Sequence, residues 1–291
     1  MLRRRPWRGW EDLAPMQELL ARALRDAPER AFFHPGDLAW WVGWPLQTPD
    51  ELAARISIVE DDGVIVGWQY MDREDVNEWV DPAASDPDTV WRELDAALEA
   101  RRDLARSIRG DDAAGDARLR AAGYQPMDEY MIGFSIELAD LDLGARDDRV
   151  RPVAIGDDLT ARASVTRAAF RSERVSFERY VQEYDAFTRS PAYPLGWDLV
   201  AWARPDRAAA CTIAWPDPVS RVGSFEPVAA HPDFHRQGYA TAVMREGLRR
   251  LRDDGMRRAV VFTRMDNDPG IALYRSVGFR DDNIQRWFSR S

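Results

Sequence analysis

The chain has 291 residues, 45% of them hydrophobic and 31% charged, which favours two folded domains over a disordered chain. One cysteine and three histidines exclude a disulfide scaffold and a multi-cysteine zinc site, and we expect no metal. All 40 basic residues are arginine, which excludes lysine Schiff-base chemistry and a Walker-type loop. No apolar run reaches the roughly 18 residues of a membrane helix, and no hydrophobic stretch follows the basic start. We therefore expect a cytoplasmic protein without a membrane partner.

Charge differs between the two halves of the chain. Residues 1–145 carry 16 arginines and 30 acidic residues, a net charge of −14, whereas residues 146–291 carry 24 and 20, a net charge of +4. The positive half suits an anionic ligand, and the acidic half suits a cation or serves solubility alone. With a net charge of −10 and no basic run, we expect no nucleic-acid partner.

The hydrophobic pattern predicts a similar order of elements twice along the chain. In chain order, the predicted elements are a helix at Asp12–Leu24, a strand at Val64–Met71, a helix at Thr89–Leu104, a helix at Leu159–Phe170, strands at Leu199–Ala203 and Ala209–Trp215, and a helix at Tyr239–Arg252. Each half then closes with a short helix, a glycine and a strand. A polar segment at 138–149 separates the halves, so we predict domains at 1–140 and 151–291 with a linker at 141–150.

The two halves can also be aligned with each other. Ala121-Ala-Gly-Tyr124 matches Ser276-Val-Gly-Phe279 at an offset of 155, and Asp81-Pro82 matches His231-Pro232 at an offset of 150. We interpret this as an internal repeat of about 145 residues.

The segment from residue 223 to 255 carries the first chemical signal. A strand at Ser224–Ala229 leads through a loop containing Gly238 into the helix that begins at Tyr239, and Gly255 is the expected stop. The free N–H groups at the start of such a helix can bind phosphate oxygens, and Arg236 would add a charged contact. An ordinary strand-to-helix turn is the alternative.

A second signal follows about 30 residues later. Arg258–Thr263 is typical of a buried strand, and a short helix follows with Asp268 as the expected N-cap and Pro269 at its first position. Gly278 is the expected C-terminal stop. Tyr274 lies within this helix, where a packed tyrosine is the structural alternative to a functional one.

Together these stretches resemble the GNAT superfamily of N-acyltransferases. The phosphate motif of that family, Arg/Gln-x-x-Gly-x-Gly/Ala, corresponds to His235-Arg-Gln-Gly-Tyr-Ala240. Its later motif, Asn-x-x-Ala-x-x-Leu-Tyr followed by Gly-Phe, corresponds to Asn267-Asp-Pro-Gly-Ile-Ala-Leu-Tyr274 and Gly278-Phe279. His235 and Gly270 depart from the pattern. The resemblance implies an α+β, three-layer fold with two tandem domains, each a mixed, mostly antiparallel sheet flanked by helices.

The resemblance also implies roles for individual residues. We expect acetyl-CoA as the acyl donor, Tyr274 as the general acid near its sulfur, and Glu226 as the base, a surface glutamate being the alternative for Glu226. The cofactor-binding residues expected from the motifs are Val228, Ala229, Ala230, Arg236, Gln237, Gly238, Tyr239, Ala240, Thr241 and Asn267.

The first half lacks the motif residues. Gly238 aligns with Asp88 and Tyr274 with Leu119, so we expect a degenerate copy that does not bind CoA. Aromatic residues after His34-Pro-Gly-Asp37, namely Trp40, Trp41 and Trp44, could line an acceptor pocket, but a packing role is favoured. Cys211 lies in a buried-strand context and is expected to be inert.

We therefore expect an N-acetyltransferase that transfers acetyl to a primary amine of a small molecule by direct attack. A non-catalytic acyl-CoA sensor or scaffold, and a transferase of a bulkier acyl group, are the alternatives. Either a monomer or a homodimer is compatible with the sequence. Candidates for the acceptor wall are Tyr184, Tyr193, Trp197 and Asp198.

Overall fold

The computed structural model describes residues 1–28, 32–45 and 47–290. Within these ranges the chain forms twelve strands and nine α-helices. The strands are β1 (Leu2–Pro6), β2 (Ile56–Asp61), β3 (Val64–Met71), β4 (Asp75–Val80), β5 (Ala105–Arg109), β6 (Gln125–Glu137), β7 (Val150–Pro152), β8 (Asp198–Arg204), β9 (Arg207–Asp217), β10 (Val222–Ala230), β11 (Arg258–Arg264) and β12 (Arg280–Ser289). The helices are α1 (Leu13–Asp26), α2 (Pro35–Gly43), α3 (Pro49–Arg55), α4 (Pro87–Ala97), α5 (Ala113–Ala121), α6 (Leu159–Ala169), α7 (Phe177–Thr188), α8 (Tyr239–Asp253) and α9 (Asp268–Val277).

Most predicted elements are present within a few residues, but the helix predicted at Thr89–Leu104 is wrong in its second half. Helix α4 ends at Ala97, where the N–H of Leu98 bonds to the carbonyl of Asp95 instead of one residue further back. Leu98 and Leu104 then pack on Val76 of β4, so the chain turns toward β5. The apolar spacing of this segment reflects that turn and not a continuous helix.

The strands form one twelve-stranded sheet in the order β1-β2-β3-β4-β5-β12-β6-β11-β10-β9-β8-β7. Among the described strands only the pairs β4–β5 and β10–β11 are parallel, and the other pairs are antiparallel. Helices cover both faces. Residues of α1, α2, α6 and α7 share one apolar core, whereas α8 and α9 pack in a second core on the opposite face. This confirms the expected mixed, mostly antiparallel sheet flanked by helices.

The two halves exchange their last strands. Strand β6, the last of the first half, pairs with β11 of the second half, and β12, the last of the second half, pairs with β5 of the first half. These two strands also pair with each other. Residues 141–149, in the predicted linker, connect β6 to β7 along the chain. The halves are thus joined by backbone pairing in the middle of the sheet as well as by the connection.

Helix α2 of the first half packs across the boundary. The indole rings of Trp40 and Trp44 stack with centroids 5.8 Å apart, and both meet Phe187 of α7 edge to face. Trp44 also contacts Tyr184 at 5.4 Å. These tryptophans seal the contact between the halves, which agrees with the favoured packing interpretation.

Candidate active site

The parallel strands β10 and β11 separate partway along their length. Their pairing ends at Ser224 and Val260, and beyond that point neither strand has the other as a neighbour. On its other side β10 pairs with β9, with an irregularity between Phe225 and Val228 that frees the intervening residues. The separation opens a gap in the sheet beside Glu226, where the sequence places the base.

Glu226 lies at this gap with its carboxylate free of any hydrogen bond or ion pair among the described residues. Its backbone carbonyl accepts a hydrogen bond from the indole N–H of Trp215 at 2.7 Å. Burial, with a smaller contribution from the charge of Asp37, raises the pKa of Glu226 to about 8. A carboxylate with a pKa in this range can accept a proton near neutral pH.

Tyr274 lies on α9, with 5% of its surface exposed. Its ring packs against Phe134 and Phe279, with centroids 5.7 and 6.2 Å away. No described residue forms a hydrogen bond with its hydroxyl. Burial, together with the nearby Glu226, raises the pKa of Tyr274 well above its usual value of 10. The phenol therefore stays protonated and can act as a proton donor, as well as being the packed tyrosine that the sequence allowed.

The loop before α8 has the backbone that phosphate binding requires. Arg236 and Gly238 both adopt positive φ, at 60° and 84°, which turns successive N–H groups toward one side. Gly238 is the N-cap of α8 and offers no side-chain acceptor to the first turn. A methyl group placed on Gly238 would meet no atom within 4 Å, so the space before the helix is open.

The remaining predicted donor-binding residues lie around this loop and on β10. Val228, Ala229 and Ala230 pair with β9, which leaves the side of β10 facing the gap without a strand partner. Gln237 is exposed and donates to the carbonyl of Asp233, whereas Tyr239, Ala240 and Thr241 form the half-buried first turn of α8. The ring of Tyr239 is covered by the guanidinium of Arg149 at 4.6 Å.

The expected N-cap of α9 is corrected by one residue. Asn267, and not Asp268, caps the helix, since its side-chain oxygen accepts the N–H of Gly270 at 3.2 Å. Its amide nitrogen donates to Thr263 of β11 at 2.7 Å. Both polar ends of Asn267 therefore fix the start of the helix that carries Tyr274.

Two of the expected acceptor-wall residues are buried in an ionic cluster instead. Arg162 donates to Asp198 at 2.7 Å, and the hydroxyl of Tyr184 donates to the same carboxylate. Cys211 lies nearby and is fully buried, and this burial raises the pKa of its thiol to about 12. Asp198 and Tyr184 therefore hold α6, α7 and β8 together, and Cys211 stays an unreactive thiol.

Sequence reasoning missed the part of the site that comes from the first half. The start of α2 lies directly against β9 and β10, and Asp37 accepts a hydrogen bond from Ser224, two residues before Glu226. The available signal was the run His34-Pro-Gly-Asp37, which has the composition of a helix start. Nothing in its spacing showed that this helix packs on the other half.

The first half has a glutamate at the matching place in its own sheet. β4 and β5 pair only at Asp75 and Val76, so Glu78 follows the last paired residue by two positions, as Glu226 follows Ser224. Glu78 is buried, with 3% of its surface exposed.

Arginine side chains occupy the space around Glu78. Arg106 donates two hydrogen bonds to its carboxylate, each 2.8 Å long, and a third to Asp95 of α4 at 2.6 Å. Arg118 of α5 lies 3.4 Å from the same carboxylate and stacks on Trp91 of α4 at 3.7 Å. In the first half these side chains fill the groove between the two helices.

Comparison with known proteins agrees with this architecture. Residues 163–279 match the model of the acetyltransferase (GNAT) family, a span that includes Glu226, the α8 loop and Tyr274. A curated relative, a mycothiol acetyltransferase of Saccharomonospora viridis, is 38% identical over 58 residues, which are 20% of this chain and 19% of the relative. The chain thus spans about a fifth of the length of this curated relative.

Solved structures resemble the whole chain. A tandem GNAT protein from the clavulanic acid biosynthesis pathway is 15% identical with a TM-score of 0.63, covering 99% of this chain and 98% of its own. A GNAT-family acetyltransferase from Colwellia psychrerythraea is 12% identical with a TM-score of 0.63 and coverages of 99% and 100%. A GCN5-related N-acetyltransferase from Sphaerobacter thermophilus is 17% identical with a TM-score of 0.60 and coverages of 99% and 94%. At these identities the likeness establishes the fold.

The fold and the family match together support an acyltransferase. Residues 163–279 match the GNAT acetyltransferase family, and the resemblance read from the two motifs in this span is confirmed. Acetyl transfer is the general reaction of that family. Within the described ranges, no helix combines the length and apolar character that crossing a membrane requires.

Proposed function

We propose that this protein is an N-acetyltransferase that moves an acetyl group from acetyl-CoA to a primary amine of a small molecule by direct attack. The observation that carries the proposal is Glu226, a carboxylate at the gap between β10 and β11 that pairs with no cation in the described part of the chain. Tyr274 lies close enough for the charge of Glu226 to raise its pKa further. The candidate base Glu226 thus lies near the candidate acid Tyr274, which is the last residue of the second motif.

The residues of the second half fit the acyl donor. The positive φ values at Arg236 and Gly238 and the open space beside Gly238 suit a pyrophosphate on the N–H groups of Gly238–Thr241. The unpaired side of Val228–Ala230 offers backbone groups to the amides of the pantetheine arm. Arg236 is exposed and would contribute charge. The net positive charge of residues 146–291 favours the same anionic ligand.

The chain's own groups account for the proton transfers. An amine is mostly protonated at neutral pH and must lose a proton to become a nucleophile, and Glu226 accepts that proton. Bound acetyl-CoA supplies an activated thioester whose leaving group is a thiolate. The buried Tyr274 retains its proton and donates it to the departing sulfur. Since the buried Cys211 remains a thiol, we infer that the amine attacks directly and no acyl-enzyme forms.

An amine is the acceptor class that the electrostatics favour. Glu226 and Asp37 bring two carboxylates to the same region, and no described arginine contacts either of them. An ammonium group would be attracted to such a pair, whereas a carboxylate or phosphate near the nucleophile would be repelled. We propose a small-molecule acceptor, with no nucleic acid or membrane partner, and a monomer or homodimer.

We further propose that only the second half binds the donor. In α4, the helix that corresponds to α8, the N-cap Asp86 uses its own carboxylate to accept the N–H of Thr89 at 3.0 Å. The N–H of Thr89, one of the groups that would bind phosphate, is therefore already engaged, and a negative charge lies beside it. The Glu78–Arg106 pair fills the groove that the pantetheine arm would need.

The direct test follows CoA release with acetyl-CoA and a panel of small primary amines. We expect release above the hydrolysis background with at least one amine, together with a product that is heavier by one acetyl group. Binding of acetyl-CoA without turnover on any amine would favour the acyl-CoA sensor. Failure to bind acetyl-CoA at all would contradict the donor site.

A further inference from the structure

The start of α2 is bonded to alternate residues of β10. The ring Nε2 of His34 lies 3.1 Å from the carbonyl oxygen of Val222, and a carboxylate oxygen of Asp37 accepts the hydroxyl of Ser224 at 3.2 Å. Both side chains are buried. His34 and Asp37 of the first half therefore contact β10 at two places. These places are Val222 and Ser224, which lie four and two residues before Glu226.

A third contact reaches Glu226 itself through Trp215. A methyl group on Gly36 would lie 2.3 Å from the indole of Trp215, so only glycine lets α2 approach this ring so closely. The indole N–H of Trp215 donates to the backbone carbonyl of Glu226 at 2.7 Å. The position of the Glu226 backbone thus depends on where α2 begins.

The start of α2 is internally rigid. The N–H of Gly36 donates to Nδ1 of His34 at 2.9 Å, and the N–H of His34 donates to the second carboxylate oxygen of Asp37 at 2.8 Å. Because Nδ1 is an acceptor, the ring proton is on Nε2 and is donated to Val222. Burial lowers the pKa of His34, which keeps the ring neutral. Asp37 is therefore fixed by two donors, and it forms no ion pair with any residue in the described ranges.

Among the charged groups around Glu226, Asp37 is the one whose charge changes the pKa of Glu226. From α2 the neighbouring groups are Asp37 and the neutral His34, and from α9 the neighbour is Tyr274. The charged residues of the flanking strands are at their ends: Arg207 and Asp217 on β9, and Arg258 and Arg264 on β11. Helices α6 and α8 also pack on β10, and their charged residues are Arg162 and Arg167 on α6 and Arg245, Glu246, Arg249, Arg250, Arg252 and Asp253 on α8. Of all these groups, only Asp37 adds to the effect of burial on the pKa of Glu226.

We propose that the start of α2, and Asp37 in particular, is a positioning element for Glu226, so that the first half completes the acceptor side of the active site. Asp37 does not touch the reacting atoms. It holds a carboxylate near the base, and the charge of that carboxylate raises the pKa of Glu226. This inference depends on the proposed function for its kinetic consequences but not for its structural ones.

The test titrates Glu226 directly in the full chain. Protein labelled with ¹³C at the glutamate carboxyl carbons is followed by NMR from pH 5 to 10, and the Glu226 signal is the one missing from Glu226→Gln. In Asp37→Asn the side-chain oxygen can still accept the N–H of His34, so a role limited to helix capping is preserved. We expect the Glu226 titration to move to lower pH by about one unit. An unchanged midpoint would overturn the proposal.

Two further variants keep this result interpretable. Asp88→Asn removes one exposed charge from the same half and is expected to leave the midpoint unchanged. Ser224→Ala removes a donor that stabilises the charged form of Asp37, so it is expected to move the midpoint in the same direction by a smaller amount. If Asp37→Asn does not fold, Asp37→Ser replaces it, because serine also removes the charge and keeps a side-chain oxygen as an acceptor, and an unchanged midpoint in that variant would overturn the proposal.

Kinetic measurements distinguish the proposed acetyltransferase function from the proposed role of Asp37. If an acceptor amine is found, the acid limb of kcat/KM is expected to move to lower pH in Asp37→Asn by the same amount as the NMR midpoint. If no amine is acetylated by the wild type, the proposed function fails, yet the NMR titration still tests the role of Asp37. A shift in the titration without a shift in the acid limb would show that Glu226 is not the base.

Discussion

The two halves place a glutamate at the same point of the fold but surround its carboxylate with different side chains. Glu78 and Glu226 each lie two residues beyond the last parallel pair, where the strands of their half begin to separate. Glu78 is held by Arg106 and approached by Arg118, whereas no cation among the described residues pairs with Glu226. The first arrangement satisfies a buried charge and serves the fold. The second leaves a carboxylate uncompensated, which costs stability and is the pattern expected at a functional position.

The helix that follows shows the same contrast. Helix α4 starts with Asp86, which caps its own helix, whereas α8 starts with Gly238, which has no side chain to do so. The proposed anion site at the start of α8 depends on that place being free, and not on an unusual helix. In this protein the candidate binding site is the place where backbone groups have no side-chain partner among the residues that the structure describes.

The largest expected effect comes from removing the carboxylate of Glu226. Glu226→Gln keeps the shape of the side chain and removes the base, so kcat/KM should fall by about 10³-fold. Acetyl-CoA affinity, measured by calorimetry, should stay near the wild-type value, since Glu226 does not bind the donor. Near-normal turnover in this variant would exclude Glu226 as the base.

The counterpart change in the first half should act on stability. Glu78→Gln leaves the buried Arg106 without its full countercharge and should lower the free energy of unfolding by about 3 kcal/mol. Turnover of the folded protein should be unchanged. Urea unfolding of both variants side by side is the measurement. Glu226→Gln serves as the matched control, because no cation loses a partner there. Equal losses of stability in the two variants would contradict the contrast.

Local patterns in the sequence were enough to predict the fold class and the regular elements. Strand β3 was predicted with its observed bounds, and α8 within one residue, because alternation and helical spacing are local properties. Gly238 and Tyr274 were found from two short motifs. These signals carry no information about which half an element pairs with.

The exchange of β6 and β12 and the packing of α2 on β10 could not be read from the sequence. Both depend on contacts between residues far apart in the chain, such as Asp37 with Ser224 and Arg106 with Glu78. The offset used to align the halves also placed Glu78 opposite Val228, so it concealed the correspondence with Glu226. Strand pairing, and not sequence spacing, reveals that match.

A smaller effect is expected at the start of α8. Gly238→Asp introduces a carboxylate where the pyrophosphate would bind and should weaken acetyl-CoA binding by about 30-fold. Gly63→Asp is the matched control, because Gly63 has the same φ of 84° and equally open surroundings but lies in the β2–β3 turn of the first half. Calorimetric titration of both variants with acetyl-CoA separates charge at the site from backbone strain. Equal affinities in the two variants would place the donor elsewhere.

The last prediction concerns the pH dependence that the difference between the glutamates implies. Because the pKa of Glu226 is raised to about 8, the free enzyme holds this group largely protonated at pH 6. The base must be ionised to act, so kcat/KM should rise about tenfold per pH unit up to pH 8 and then level off. An acceptor whose own pKa lies well below 6 keeps amine titration out of the profile. Glu78→Gln should show the same profile, because Glu78 belongs to the ion pair of the other half. An acid limb of kcat/KM near pH 5 would mean that solvent or a cation reaches Glu226 in the working enzyme. The environments of the two glutamates would then differ less than their neighbouring side chains indicate.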